Sequence, residues 1–447
     1  MADGYIAIFL LLGFFILIAF RLPVAVALGL TAFAGLLIDG LNVINYVTQM
    51  YRGLDIFMVL AIPFFIMTGY LAANSSITTR LLELATLLVG RIRGSLGHIN
   101  VVVSMIFAGV SGTATADTAG IGSVLIPMMI KRKYPAAYAA AITATTSTIG
   151  SIIPPSMLMI VYSAYANVSI GAMFLGGVVP GVFLGLVCMA YNFLYTRRHG
   201  LDRHEGVTIE EVDSVAGVQF GEKKRGKVRI VLGALPALLI PVIIVWGVTG
   251  GIFTATEAGF VALIYTLLVL LVVYRDLALK QLVGIVRSAF LFYALPLLAS
   301  GSAVLLGWVL AYYGMGEAIR SFVELLQVPG WGFLLFVVLL FTVAGTFLDG
   351  FPAIVLFAPM LLDTAYRIGI HPIHLGLIIV LTLAMGLTTP PYGLCFLIAG
   401  KIANIGTKAM IKAMLPFWLC VLAVILVSVF LPDVILAVPR WILPELF

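Results

Sequence analysis

A short polar motif occurs twice inside sequence that is otherwise apolar, and it limits what this chain can fold into. The first copy runs from Gly109 to Pro127 (GVSGTATADTAGIGSVLIP) and is followed by Ser151-Ile152-Ile153-Pro154-Pro155-Ser156. The second runs from Ala344 to Pro359 (AGTFLDGFPAIVLFAP) and is followed by Thr388-Thr389-Pro390-Pro391-Tyr392. Asp117 and Asp349 are 232 positions apart, as are Pro127 and Pro359; Pro155 and Pro391 are 236 apart. Each copy sets one carboxylate, a Gly/Ser/Thr cluster and a double proline where an apolar helix should run unbroken. Paired interruptions at corresponding places in two halves point to the binding site of a secondary transporter.

Of the 447 residues, 62% are hydrophobic and 10% charged, whereas soluble domains carry roughly 25% charged residues. That balance excludes a soluble fold and predicts an all-α polytopic membrane protein. The first apolar run begins at Tyr5 with no basic segment before it. It ends at Arg21-Leu22-Pro23 without a small-residue cleavage site, so it reads as a first spanning helix and not a removed signal peptide. Cys188, Cys395 and Cys420 lie in apolar stretches without metal-type spacing and read as buried apolar residues, with no transition metal. The net charge of +6 comes from basic residues gathered in short polar gaps, which is a topology signal. No basic patch with interleaved aromatics suggests nucleic acid. No nucleophile–base pair suggests an enzyme, and duplicated occluded sites argue against a passive channel.

The one long hydrophilic stretch, 197–229, holds eight of the 25 Lys and Arg residues. It is predicted to be a cytoplasmic linker between an N-terminal repeat (1–196) and a C-terminal repeat (230–447). In the first repeat, apolar spans lie near 4–20, 22–39 and 57–73, with a mixed segment near 76–93. Two short runs near 98–112 and 118–130 flank the motif. A segment broken by Pro154-Pro155 covers about 136–166 and a last span about 172–195. The second repeat follows the same order: spans near 230–248, 252–274 and 286–311, and a mixed segment near 316–327. Short runs near 331–346 and 350–365 flank Asp349, a broken segment covers about 373–400 and a last span about 410–432.

One crossing needs about 20 residues, so the runs on either side of each aspartate read as the two arms of a re-entrant hairpin. Each repeat then crosses five times, and an odd number makes the repeats inverted. Lys131-Arg132-Lys133 closes the first hairpin on the cytoplasmic side, together with Arg21, Arg91, Arg93, Lys280, Arg287 and Lys401. The second hairpin ends near Asp363, Arg367 and His371, which fits the outer face. The N-terminus carries no Lys or Arg and is expected outside, in a multi-pass protein of a bacterial inner membrane.

From Ala108 to Ser123, thirteen of sixteen residues are Gly, Ala, Ser or Thr. Close helix packing explains the small residues but not the aspartate, which costs at least ~2.5–3.5 kcal/mol at membrane depth. Capping of the second hairpin helix is one role for Asp117 and Asp349. Cation binding is the other, and the two can coexist. Carbonyls of an unwound tip, hydroxyls and one carboxylate make an all-oxygen site for a hard cation, with Na+ the natural choice. The double prolines remove backbone donors and break the helical ladder, and the half-helix after each break favours an anionic group. Other polar residues have plainer readings: Glu257 as a helix cap, Arg320 as an interfacial anchor, His371 and His374 at a surface, and Asn167 in a turn.

The motif pairs, their order and the linker resemble the large membrane subunit of TRAP (tripartite ATP-independent periplasmic) transporters over essentially the whole chain. The resemblance rests on Gly109-Val110-Ser111-Gly112-Thr113-Ala114 with Ala116-Asp117, and on Gly345-Thr346-Phe347-Leu348-Asp349 with Thr388-Thr389-Pro390-Pro391. It implies an elevator, in which hairpins and broken helices slide against a scaffold. It also implies Na+ as the coupling ion with no other cofactor, a soluble periplasmic binding protein that delivers a carboxylate solute, and a separate small four-helix membrane subunit. Carried onto this chain, it places one Na+ near Ser111, Gly112, Thr113, Asp117 and Ser151. A second falls near Gly345, Thr346, Asp349, Gly386, Thr388 and Thr389, and the solute near Thr115, Pro155, Ser156, Pro391 and Tyr392. The solute could be a C4-dicarboxylate, a sialic acid or another organic acid. A carrier of the same hairpin design that needs no binding protein is the alternative.

Overall fold

The computed structural model describes residues 2–201, 207 and 226–446, and every regular element among them is helical. The first half builds α1 (Ala2–Ala19), α2 (Val24–Ile38), α3 (Ile44–Leu54), α4 (Ala61–Ala73), α5 (Ser76–Val89), α6 (Ser95–Ser111), α7 (Ala114–Lys131), α8 (Ala136–Ser147), α9 (Met157–Ala166) and α10 (Ile170–His199). The second builds α11 (Lys227–Thr249), α12 (Ala255–Leu268), α13 (Leu279–Tyr312), α14 (Met315–Leu325), α15 (Gly330–Phe347), α16 (Gly350–Arg367), α17 (Pro372–Gly386), α18 (Leu394–Ile402), α19 (Thr407–Phe430) and α20 (Pro432–Ile442). Of the expected linker at 197–229, residues 202–206 and 208–225 lie outside the described residues. Its two ends are helical, since α10 runs on to His199 and α11 starts at Lys227.

Among the described residues, six helices are long and apolar enough to cross a membrane: α10, α11, α12 with its π-helical extension Val269–Tyr274, α13, α15 and α19. The hairpin arms α6, α7, α15 and α16 have 17 or 18 residues. At 1.5 Å per residue each reaches about 26–27 Å, so length alone does not separate a re-entrant arm from a crossing. The arm α7 is longer than its apolar run because Thr113 caps it: the Ala116 N–H donates to Thr113 Oγ1 at 3.3 Å, and the helix begins four residues before the run at 118. The amphipathic helices α3 and α20 have no counterpart among the apolar runs. Glu257 closes a capping box with Thr254 at the start of α12, and Asn167 ends α9 with φ +53°. His374 departs from its expected surface position. It is buried between α17 and α19, with Nε2 2.8 Å from the Ser428 carbonyl.

The half-helices α8 and α17 lie at the centre, with residues 138–147 and 373–384 buried throughout. Around them the halves interlock. The second arm α7 packs on α8 of its own half and on α18 of the other, while α16 packs on α17 and on α9. The outer group includes α1–α5 and α11–α13. Its long helix α13 lies along α2, α3 and α4 and also touches α16, so it walls the interlocked core.

From α5 onward the element boundaries of the two halves repeat at a spacing close to 236. The arms α7 and α16 (114–131 and 350–367), the starts of α8 and α17 (136 and 372) and the cis bonds Pro154-Pro155 and Pro390-Pro391 keep it without deviation. The aspartate motif keeps 232. The difference of four residues is about one helical turn. Thr113 therefore corresponds to Asp349, each the N-cap of a second arm, and Asp117 corresponds to Ala353. The matching positions that the motif spacing predicts for the two aspartates are displaced by one turn.

Candidate functional site

At the first tip, α6 ends at Ser111 and the chain reverses through Gly112, whose φ is +61°. A side chain there would also collide, because a Cβ would lie 2.7 Å from the Pro155 carbonyl oxygen. The Met157 N–H donates to the Gly112 carbonyl at 3.5 Å, tying the tip to the chain just past the double proline. Ser156 caps α9 and donates its hydroxyl to the Ser151 carbonyl at 2.5 Å. Ser111 Oγ lies 3.4 Å from the Thr113 backbone.

The second tip repeats this plan with different chemistry. Asp349 Oδ1 accepts from the Gly350 N–H at 2.8 Å and caps α16. The Tyr392 N–H, just past Pro390-Pro391, donates to the Thr346 carbonyl at 3.2 Å. Gly386 sits against Gly345 so closely that a Cβ on Gly386 would be 2.8 Å from the Gly345 Cα. Thr346 Oγ1 donates to the Val343 carbonyl, and the Thr388 and Thr389 hydroxyls both donate to the Met385 carbonyl. Trp418 Nε1 donates to Thr388 at 3.2–3.3 Å.

Both tips open onto one crevice made of two adjoining cavities. A small cavity of about 60 Å³ is lined by Gly112, Thr113, Thr115 and Ser151 from the first half and by Asp349, Phe351 and Leu394 from the second. Ile62 and Ile66 of α4 and Phe292, Tyr293 and Pro296 of α13 complete its wall. The adjoining cavity of about 340 Å³ shares Phe292, Pro296, Asp349, Leu387 and Leu394 and adds Gly345, Phe347, Tyr392 and Gly393. That volume is within the range of small-molecule sites. Residues from the first turn or cap of four helices line the crevice: Thr113 of α7, Met157 of α9, Asp349 of α16 and Leu394 of α18. The positive ends of these four helix dipoles bias the space toward an anion. Among the lining residues of both cavities, Asp349 is the one charged side chain.

The expected site residues therefore divide. Gly112, Thr113, Thr115, Ser151, Gly345, Asp349 and Tyr392 border the crevice. Ser111, Pro155, Ser156, Thr346, Gly386, Thr388, Thr389 and Pro391 lie around the tips without lining either cavity. Asp117 lies apart. It is fully buried one turn inside α7 and faces the hydroxyls of Ser104 and Ser147. The α13 wall was not among the expected residues. Pro296 lies in the middle of this continuous helix, but Pro180, Pro236, Pro241 and Pro416 lie inside other spans in the same way, so it does not single the wall out.

Among the described residues, six helices are fit to cross a bilayer and an interior crevice is capped by two helical hairpins, which defines a multi-pass membrane protein. A family profile described as "Tripartite ATP-independent periplasmic transporter, DctM component" matches residues 11–434, and the chain belongs to that family. It is 35% identical to the C4-dicarboxylate TRAP transporter large permease protein DctM of Pseudomonas aeruginosa, over 88% of this chain and 89% of that one. It is 33% identical to the isethionate TRAP transporter permease protein DctMQ of Oleidesulfovibrio alaskensis, over 96% of this chain and 65% of that one. Its fold is similar to that of the YdaH transporter of Alcanivorax borkumensis, with a TM-score of 0.57 over 86% of each chain at 15% identity.

Proposed function

We propose that this chain is the large transmembrane subunit of a Na+-coupled importer of a carboxylate solute. A periplasmic binding protein delivers the solute, and a separate small membrane subunit completes the assembly. The observation that carries this reading is the meeting of four helix N-termini and one carboxylate at a single crevice. The N-termini attract an anion. Asp349 repels it until a cation is bound, and no basic side chain among the lining residues does that work instead. A cation at the second tip, held by Asp349 and backbone oxygens near Gly345 and Thr388, therefore makes solute binding depend on Na+. The solute rests against Thr115, Tyr392 and the α13 wall.

The two halves act as inverted repeats, with hairpins entering from opposite faces. The interlocked core of α6–α9 and α15–α18 is the moving part of an elevator, and the α13 side is its scaffold. The first half begins outside, and the 197–229 linker is cytoplasmic. Uptake into proteoliposomes holding both membrane subunits and the loaded binding protein tests the reading. Uptake should follow an inward Na+ gradient and vanish without one; gradient-independent uptake contradicts it. Full uptake without the binding protein would favour the independent carrier.

A further inference from the structure

Polar side chains are gathered at one end of the crevice. The small cavity is bordered by Thr113, Thr115, Ser151 and Tyr293, and by the starts of α7 and α9. The larger cavity is built differently. Phe292, Pro296 and Ala299 of α13 line it together with Phe347, Leu348 and Leu394 of the second half. Its lining holds no lysine, arginine, histidine, serine, threonine, asparagine or glutamine; Asp349 and Tyr392 supply its polar side chains. Asp349 Oδ1 is taken up in capping α16, and Tyr392 is exposed. The loop backbone there is committed as well. The N–H groups of Tyr392, Gly393 and Cys395 donate to the carbonyls of Thr346, Thr389 and Leu387. Two aromatic walls are held from behind. The Phe292 ring packs against Tyr70 of α4 with centroids 5.5 Å apart, and Phe347 meets Phe15 of α1 edge-on at 6.0 Å. A charged or hydroxyl-bearing group in this space would lose water and find no side-chain donor to replace it. An apolar group would gain by leaving water.

We propose that the solute is an amphipathic monocarboxylate, with its one carboxylate in the small cavity beside Thr115 and Ser151 and an aliphatic or aromatic body in the larger cavity between Phe292 and Phe347. This inference rests on the carboxylate-importer reading and narrows it. A dicarboxylate and a polyhydroxylated acid are disfavoured for one reason: their second polar end falls where neither a basic side chain nor a free loop donor receives it. Phe292 lines both cavities and stands at their junction, whereas Phe347 borders the larger one alone. Phe347 is therefore a specificity-determining residue that acts on the body of the solute and not on its carboxylate.

The test is thermal unfolding of the membrane subunits in nanodiscs at neutral pH, titrated with single acids in saturating NaCl and again in choline chloride. The binding protein is left out so that its own selectivity does not enter. The probes are butanoate, hexanoate, phenylacetate, hexanedioate and gluconate. In NaCl the midpoint of stabilisation should fall about two- to fourfold per added methylene from butanoate to hexanoate, and phenylacetate should also bind more tightly than butanoate. Hexanedioate and gluconate should each need at least about tenfold more acid than hexanoate. Phe347→Ala should weaken hexanoate about fivefold more than it weakens butanoate; should that variant not fold, the wild-type series decides alone. Hexanedioate or gluconate acting at or below the hexanoate midpoint would overturn the inference, as would equal midpoints for butanoate and hexanoate. Either result with the Na+ requirement intact would leave the proposed function standing. No Na+-dependent response to any of the acids would count against both.

Discussion

In the first hairpin, the interior of α7 and α8 carries Asp117, Thr143, Thr146 and Ser147; at the same places α16 and α17 carry Ala353, Ile379, Thr382 and Leu383. Asn100 and Ser104 of α6 join the first set, whereas the buried face of α15 is Phe333, Leu334, Val337, Val338, Phe341, Ala344 and Gly345. One frame has thus been filled in two ways, with a polar seam behind the tip in one half and a mostly apolar core in the other. The carboxylate moves accordingly. Where the interior is polar the aspartate lies one turn inside; where it is mostly apolar the aspartate is at the tip, facing the crevice. The lesson is that two similar hairpins need not contribute equally: the second brings its carboxylate to the crevice, and the first keeps its own inside the core.

The largest expected effect comes from the crevice carboxylate. Asp349→Asn removes the charge proposed to hold a cation at the tip, for which the expected loss is ~3 kcal/mol, as for a charge-assisted interaction. Na+-driven uptake in proteoliposomes should fall about 100-fold. Wild-type uptake in this variant would erase the distinction between the tips. Next is the glycine contact at each tip. Gly386→Ala drives a Cβ to 2.8 Å from the Gly345 backbone and should cost ~1–3 kcal/mol by overpacking, seen as a lower melting temperature and reduced uptake. Gly150→Ala, at the corresponding place, meets the Thr113 carbonyl at a looser 3.2 Å and should cost less.

A smaller contrast probes the interiors directly. Thr146→Val takes a donor from Asn100 and should cost ~1–2 kcal/mol by leaving buried polar atoms unpaired. Thr382→Val, at the equivalent place, loses only a bond to the Ile378 carbonyl of its own helix and should cost under ~1 kcal/mol. Equal losses in denaturation would mean that the seam is not a network. The smallest effect is reserved for Glu257→Ala. It opens the capping box at the exposed start of α12, should cost ~0.5–1 kcal/mol, and should leave uptake unchanged.

Much of this was legible in the sequence because breaks in apolar runs are local events. The double prolines, the glycine at the first tip and the order of arms and half-helices are all written in short stretches. The one-turn displacement of Asp117 was not, because a slip of four residues keeps a side chain on nearly the same helix face and leaves the motif looking conserved in spacing. Ser104 and Ser147 carry no sequence signal of their own, since their facing Asp117 depends on which helices lie side by side. The α13 wall was hidden for a related reason: Phe292 and Tyr293 look like lipid-facing aromatics until the fold turns them onto the tips.

The central claim is that both tips and the α13 wall enclose one crevice, and a crosslink tests it most directly. With Cys188, Cys395 and Cys420 replaced by alanine, Thr115→Cys and Phe351→Cys place one thiol on each side of the small cavity. In native membranes a short bifunctional thiol reagent should join the two into one bridged chain, and the bridged protein should no longer take up solute. Two cysteines that react singly but never with each other would contradict the convergence of the tips and the account built on it.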